Sequence, residues 1–140
     1  MKIIVEGDFA PCARPRFSSG GRPYEKVRTY QPARNRQCQE RISWAARQAM
    51  KSLEPLTCEI CADVKIYRRY KRSSRRFGDV DNLAKNILDA LTGIIFKDDA
   101  QVVRCLIEKF TDKEHPRAEI EIYPLEARAS PLKTGKQKPR

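Results

Sequence analysis

Five aspartates fall close together in a strongly basic chain: Asp79, Asp81, Asp89, Asp98 and Asp99, in the string GDVDNLAKNILDALTGIIFKDDAQV. Six Arg and Lys precede them between Arg68 and Arg76. A protein that only attracts phosphate has no electrostatic reason to put acids beside its basic cluster. It has one if the acids hold a divalent cation against a phosphodiester, because hard cations such as Mg²⁺ take carboxylate, water and phosphate oxygens. The basic surroundings would bring nucleic acid in, and the acids and metal would cut it. Asp79 and Asp81 stand two apart at a loop-to-helix junction, so in an extended segment both point to one side. Asp81 is a candidate N-cap, and the positive end of the helix dipole helps keep a carboxylate ionised there. Lys85 lies one turn further on the same face, where it could neutralise a phosphate or steady a leaving oxygen. Asp98 and Asp99 follow the helix in a turn, and a short loop is expected to return one of them to the helix start. Each residue also has a plain structural reading: a cap, a surface pair of Lys85 with Asp89, turn residues before a strand. Taken together in these basic surroundings they favour metal chemistry.

Hydrophobic periodicity supplies the elements that must position these groups. Lys2 to Glu6 reads as a strand ended by Gly7. Pro11 to Pro32 is rich in Pro, Gly, Ser and Arg, with Phe17, Tyr24 and Tyr30 interleaved, and reads as a long loop. Cys38, Ile42, Ala45, Ala46, Ala49 and Leu53 form one apolar helical stripe that stops before Pro55. From Cys58 to Tyr67 the period becomes two, with Cys58, Ile60, Ala62, Val64 and Ile66 on the buried side. A second helix is predicted from about Leu83 to Thr92, with Leu83, Ile87 and Leu91 inward and Gly93 as its stop. Val102 to Phe110 and Ala118 to Tyr123 are the last strands. The expected fold is a single α+β domain in β-α-β-α-β-β order, with two helices packed on one face of a mixed four-stranded sheet. Residues 1–126 make up the domain, and 127–140 are expected to be a basic, flexible C-terminal tail.

Composition narrows the function classes. The 140 residues suit one domain with one modest core, and 40% hydrophobic content argues against disorder throughout. Lys plus Arg number 29 against 18 Asp plus Glu, a net charge of +11. That excess is clustered: Arg14 to Arg36 holds seven basic residues and one acid, and Arg128 to Arg140 holds five and none. Clustered base is the footprint of a nucleic-acid binder. MKIIVEGDF is no signal peptide and nothing approaches a membrane span, so a cytoplasmic location is expected, in a bacterial cell or encoded by its phage. Five cysteines, an odd number, fit reduced thiols. Cys58 and Cys61 have CxxC spacing but no second pair, and in a strand they face opposite ways, so zinc is not expected.

The run from Asp79 to Val102, D-V-D-N-L-x-K followed by D-A-L-T and then D-D-A-Q-V, resembles the signature of the RusA-type Holliday junction resolvases. The likeness extends more loosely over Lys2 to Leu125 and includes an Arg-Pro-Arg segment, here Arg14-Pro15-Arg16. It implies a Mg²⁺-dependent homodimer, with Mn²⁺ able to substitute, that cuts four-way DNA junctions by paired symmetric nicks. By motif position the catalytic and metal-binding acids would be Asp79, Asp81 and Asp99, with Lys85 as the essential base. Asp98 matches the preceding, less critical acid. The DNA-binding candidates are Arg14 and Arg16 in the first basic cluster and Arg69, Arg72, Arg75 and Arg76 in the second. One position departs from the pattern: where some members have a basic residue before the first Asp, this chain has Gly78. No histidine is suitably placed as a general base, so activating the attacking water falls to the metal. Two rival readings remain: a nuclease for flaps, forks, other branched DNA or single strands, and a non-catalytic DNA-binding protein. Symmetric incision calls for two copies, and the open face of the sheet and the first helix near Trp44 are candidate contacts.

Overall fold

The computed structural model describes residues 1–9, 11, 16–18, 28–30 and 33–128, with the side chains of 16–18, 28–30, 127 and 128 excepted. Arg14 and the tail from 129 onward therefore lie outside the described residues, and of Arg16 only the backbone is described. The apolar alternation becomes β1 (Lys2–Glu6), β4 (Ile60–Arg68), β5 (Val102–Thr111) and β6 (Arg117–Pro124). Their order across the sheet is β1-β6-β4-β5. β6 runs antiparallel to both β1 and β4, while β4 and β5 are parallel. The sheet is mixed, as its sequence order predicts.

Two helices cover one face. Ile3 and Val5 of β1, Ile60, Ala62, Val64 and Ile66 of β4, and Ala118, Ile120 and Ile122 of β6 meet Cys38, Ile42, Ala46 and Met50 of α1 (Ala33–Met50). Leu83, Ile87, Ala90 and Leu91 of α2 (Val80–Leu91) complete the same core. The opposite face carries Asp63, Lys65, Glu108, Glu119 and Glu121, around a shallow hollow that also touches Leu106. Period-two alternation thus gives one buried and one charged side, the usual condition of an antiparallel-rich sheet.

Several local expectations shift. Within the Arg/Pro-rich stretch read as a loop, β2 (Arg16–Ser18) and β3 (Arg28–Tyr30) pair antiparallel as a separate two-stranded ribbon. The first helix begins at Ala33 and ends at Met50, where Lys51 takes a left-handed φ of 52°. Leu53, counted in its apolar stripe, consequently lies beyond the helix and is 65% exposed. Cys58 is exposed ahead of β4 rather than inside it, whereas Cys61 is fully buried within the strand. Among the described residues no helix is long and apolar enough to cross a membrane.

Candidate active site

The second helix starts earlier than its apolar stripe, because the stripe reports only core-facing positions. Val80 is the first helical residue, and Asp79, not Asp81, is the N-cap, in extended conformation at φ −79° and ψ 145°. The Asp79 carboxylate makes no capping hydrogen bond, and the turn is closed instead by the Asp79 carbonyl, which accepts from the Leu83 N–H at 3.0 Å. Asp79, Asp81 and Lys85 are all exposed. Two uncommitted carboxylates thus stand at the positive end of a helix dipole, with a lysine one turn along.

Their approach is built on Arg68, the last residue of β4 and only 2% exposed. Its Nε and Nη2 donate to the two carboxylate oxygens of Asp8, at 2.8 and 2.9 Å. Its Nη1 donates to the carbonyls of Arg76 (3.0 Å) and Phe77 (2.5 Å). The guanidinium also lies over the rings of Tyr70 (5.0 Å) and Phe77 (5.7 Å), a cation–π arrangement. Partial burial pushes the Asp8 carboxyl up, but the hydrogen bond and charge of Arg68, with Arg69 and the Phe9 N–H, hold it below its ordinary range. Removing Asp8 altogether would strand a buried cation, at a cost of about 3–5 kcal/mol. Gly78 follows at φ +100°, and a Cβ there would stand 2.8 Å from Cβ of Pro11. The departure from the motif at this position has a steric cause: only glycine fits both the backbone and the neighbour.

The other acidic pair sits elsewhere. Asp98 caps a single 3-10 turn, Asp99–Gln101, in a full capping box. Its Oδ1 accepts from the Ala100 N–H at 2.9 Å, and the Gln101 amide oxygen accepts from Lys97 N–H and Asp98 N–H, each at 2.9 Å. The same Gln101 donates to the carbonyls of Leu56 and Cys58, tying the turn to the approach to β4. The Ala100 N–H, with a smaller contribution from the neighbouring Asp99, holds the Asp98 carboxyl below its ordinary range. Asp99 is exposed.

The expected return of Asp98 or Asp99 to the helix start does not occur within one chain. Because β4 and β5 are parallel, α2 must run back along the sheet, so Asp79 stands by the end of β4 and Asp99 by its beginning. Twelve residues of α2 separate the pairs, about 18 Å at 1.5 Å per residue. Among the described residues no three of His, Cys, Asp and Glu are grouped closely enough to hold a metal ion. The donor type nevertheless fits a hard divalent cation at the helix start, where two free carboxylate groups leave the remaining positions to water or phosphate.

Arg69, Arg72, Arg75 and Arg76 are all exposed on the loop that feeds Asp79. Lys109 of β5, which periodicity alone did not single out, joins them: its ammonium donates to the Arg72 carbonyl at 3.2 Å and lies 5.2 Å from the Phe77 ring. His115, the lone histidine, is occupied with Glu6 at 2.5 Å in the β5–β6 turn.

A family model described as Endodeoxyribonuclease RusA matches residues 7–123, most of the chain. The chain belongs to the RusA family. That family is one of endodeoxyribonucleases, so DNA is the substrate class and phosphodiester cleavage the reaction class. The chain is also 31% identical over 144 residues to "Uncharacterized protein YqaN" of Bacillus subtilis (strain 168), an alignment covering 91% of this chain and 98% of that protein. The RusA match takes in Asp79, Asp81, Lys85 and Asp99 together with Asp8 and Arg68, and stops short of the basic tail. Asp8 and Arg68 were missed as a pair because no periodicity links residues sixty positions apart. The Asp98 capping box was missed as well, although an Asp three residues before a Gln at a turn is its signature.

Proposed function

We propose that the chain is a Mg²⁺-dependent endonuclease that resolves four-way DNA junctions by paired symmetric nicks, acting as a homodimer in the cytoplasm. The observation that carries this reading is the position of the motif acids at opposite ends of one helix in a RusA-family chain. Two α2 helices packed antiparallel about a twofold axis would bring Asp79 and Asp81 of one copy toward Asp99 of the partner subunit. The axis would then create two equivalent sites, matching the two strands to be cut.

An apolar strip beside α2 supports that contact. Val80 is 44% exposed, Ala84 and Leu88 follow it at one-turn spacing, and Val103 on the edge strand β5 is 49% exposed. The open face of the sheet is a poorer dimer surface, since pairing it would bury Asp63, Lys65, Glu108, Glu119 and Glu121, charges that now face solvent. Trp44 of α1, 65% exposed, lies apart from this strip.

In the site, Asp79, Asp81 and Asp99 would hold the metal, and Mn²⁺ is expected to substitute. Bound there, Mg²⁺ supplies Lewis-acid activation of water and charge stabilisation at the leaving 3′ oxygen. The positive end of the helix dipole faces the charges of Asp79 and Asp81, and Lys85 steadies the charge that develops on the phosphate. Arg69, Arg72, Arg75 and Arg76, with Arg14 and Arg16, hold the backbone phosphates and orient the junction arms. The products would be 5′-phosphate and 3′-hydroxyl ends.

The test is incubation of the protein with an end-labelled four-way junction, a matched duplex and a flap, with and without Mg²⁺. Junction nicks confined to the Mg²⁺ lanes are the expected result. Equal or better cutting of the flap moves the reading to a branched-DNA nuclease, and binding without cleavage moves it to a DNA-binding protein.

A further inference from the structure

We infer that Arg68 is a positioning residue for the carboxylates at the start of α2, fixing Asp79 through the peptide units that precede it. The inference rests on the reading of Asp79 as a metal ligand. One planar guanidinium makes four hydrogen bonds in two directions: two to Asp8 and two to the consecutive carbonyls of Arg76 and Phe77. A fork of this kind sets orientation as well as distance. The second of those carbonyls is one peptide unit from Gly78, and Gly78 is buried against Pro11, three residues beyond the Asp8 that anchors the other side of the fork. Asp79 therefore leaves a backbone held on both sides.

Its own side chain contributes nothing to this placement, because the carboxylate does not cap the helix. A ligand that is not fixed by its own hydrogen bonds depends on its backbone for position. Asp8 is in turn held by α1, since Arg41 donates to the carbonyls of Glu6 (2.9 Å) and Asp8. The result is a continuous path of contacts from α1 through Asp8 and Arg68 to the peptide ahead of Asp79. The exposed arginines of the 69–76 loop end on the same anchor, so phosphate contact and ligand placement share one support.

The test uses the full chain and two substitutions, Arg68→Lys and Pro11→Ala. A lysine keeps the positive charge opposite Asp8 but cannot fork to both carbonyls as well. Pro11→Ala removes the ring against Gly78 without breaking any buried hydrogen bond. Mn²⁺ binding to the free protein is followed by electron paramagnetic resonance, beside thermal unfolding, junction binding in Ca²⁺ and single-turnover cleavage against Mg²⁺ concentration. The expected result for Arg68→Lys is a folded protein with junction affinity retained, Mn²⁺ affinity reduced about tenfold and the Mg²⁺ half-saturation raised to match. Pro11→Ala should show the same change at about threefold.

A merely structural Arg68 would lower the unfolding temperature and leave Mn²⁺ affinity unchanged, and that result overturns the inference. If Arg68→Lys does not fold, Pro11→Ala decides: a weakened Mn²⁺ site supports the inference, and an unaltered one overturns it. Asp79→Asn separates the two levels of the argument. Wild-type Mn²⁺ binding that Asp79→Asn does not weaken removes the ligand reading and the inference with it; binding that Asp79→Asn abolishes and Arg68→Lys leaves intact removes the inference alone.

Discussion

The two ends of α2 carry the same residue type under opposite conditions. At its start, Asp79 and Asp81 are exposed, and the Asp79 carboxylate is not used to cap the helix. The backbone there is held by a buried arginine and a glycine that only a left-handed turn explains. Beyond its end, Asp98 commits its carboxylate to a capping box, and of that exposed pair Asp99 has no capping role. Aspartates adjacent in a motif are thus not equivalent: what separates them is whether the fold has already used their oxygens. The exposed acids of one chain stand a helix length apart, and the function proposed above needs a second copy to bring them together.

The largest effect should come from the free acids. Asp79→Asn, Asp81→Asn and Asp99→Asn are each expected to reduce junction cleavage at least about a thousandfold, over 4 kcal/mol of barrier, while binding in Ca²⁺ is kept. Mixing two inactive proteins then breaks or sharpens the comparison. In a mixed dimer of Asp79→Asn with Asp99→Asn, one composite site keeps all its acids and the other loses two. Activity should reappear on mixing, at up to about a quarter of the wild-type sites for random pairing, as single rather than coupled nicks. No recovery after subunit exchange has been demonstrated would mean that each site lies within one chain.

Lys85→Ala should come next. Its side chain is exposed on α2 and has no core role, so the fold is expected to survive. A loss of several hundredfold in the single-turnover rate, about 3–4 kcal/mol, would fit a cation that stabilises the transition-state charge. An unchanged rate would reduce Lys85 to a surface partner of Asp89.

Much of this architecture was legible in the chain. The alternation in β1, β4 and β6 and the Leu83, Ile87, Leu91 stripe report core-facing positions directly, because burial selects side chains with the period of the backbone. The ends of the elements were less legible. Val80 is helical but half-exposed, and Lys51 ends α1 through its backbone angle, neither of which leaves an apolar mark. The separation of Asp79 from Asp99 was present in principle. A strand, a twelve-residue helix and a strand that pairs parallel with the first require the helix to run backwards, which places its flanking residues far apart. The expectation that a short loop returns Asp98 or Asp99 to the helix start takes closeness in sequence for closeness in space. Arg68 reads in the sequence as one more base of the loop cluster, and only its burial against Asp8 shows otherwise.

A smaller effect tests the support beneath the helix start. The Asp8 carboxyl is held below its ordinary range in the fold, so its stabilisation is full above the unfolded value near 3.9 and is lost as pH falls through the folded one. Asp8→Asn should therefore be less stable than wild type at neutral pH, by about 1.5–3 kcal/mol for charge-assisted hydrogen bonds, and the difference should narrow as pH falls below the ordinary carboxylate range. Denaturant midpoints from pH 7 to pH 2.5 measure it. A gap that persists undiminished in acid would show that the Arg68–Asp8 contact stabilises by shape and not by charge.

The smallest effect is expected at Asp98, and it bears most directly on the difference between the two ends. Asp98→Asn keeps an oxygen that can accept from the Ala100 N–H, so the capping box survives with only its charge removed. Cleavage should then fall by no more than a few-fold, since Asp99 alone would reach the metal. Asp98→Ala removes the acceptor and should cost about 1 kcal/mol in the stability of the turn that presents Asp99. Its cleavage rate should drop further than that of Asp98→Asn, because the loss acts through the placement of a neighbour and not through a ligand. The order of the two substitutions is the informative quantity. If Asp98→Asn were as inactive as Asp99→Asn while Asp98→Ala unfolded no more readily than wild type, the capping box would be incidental, and Asp98 would be the acid that holds the metal.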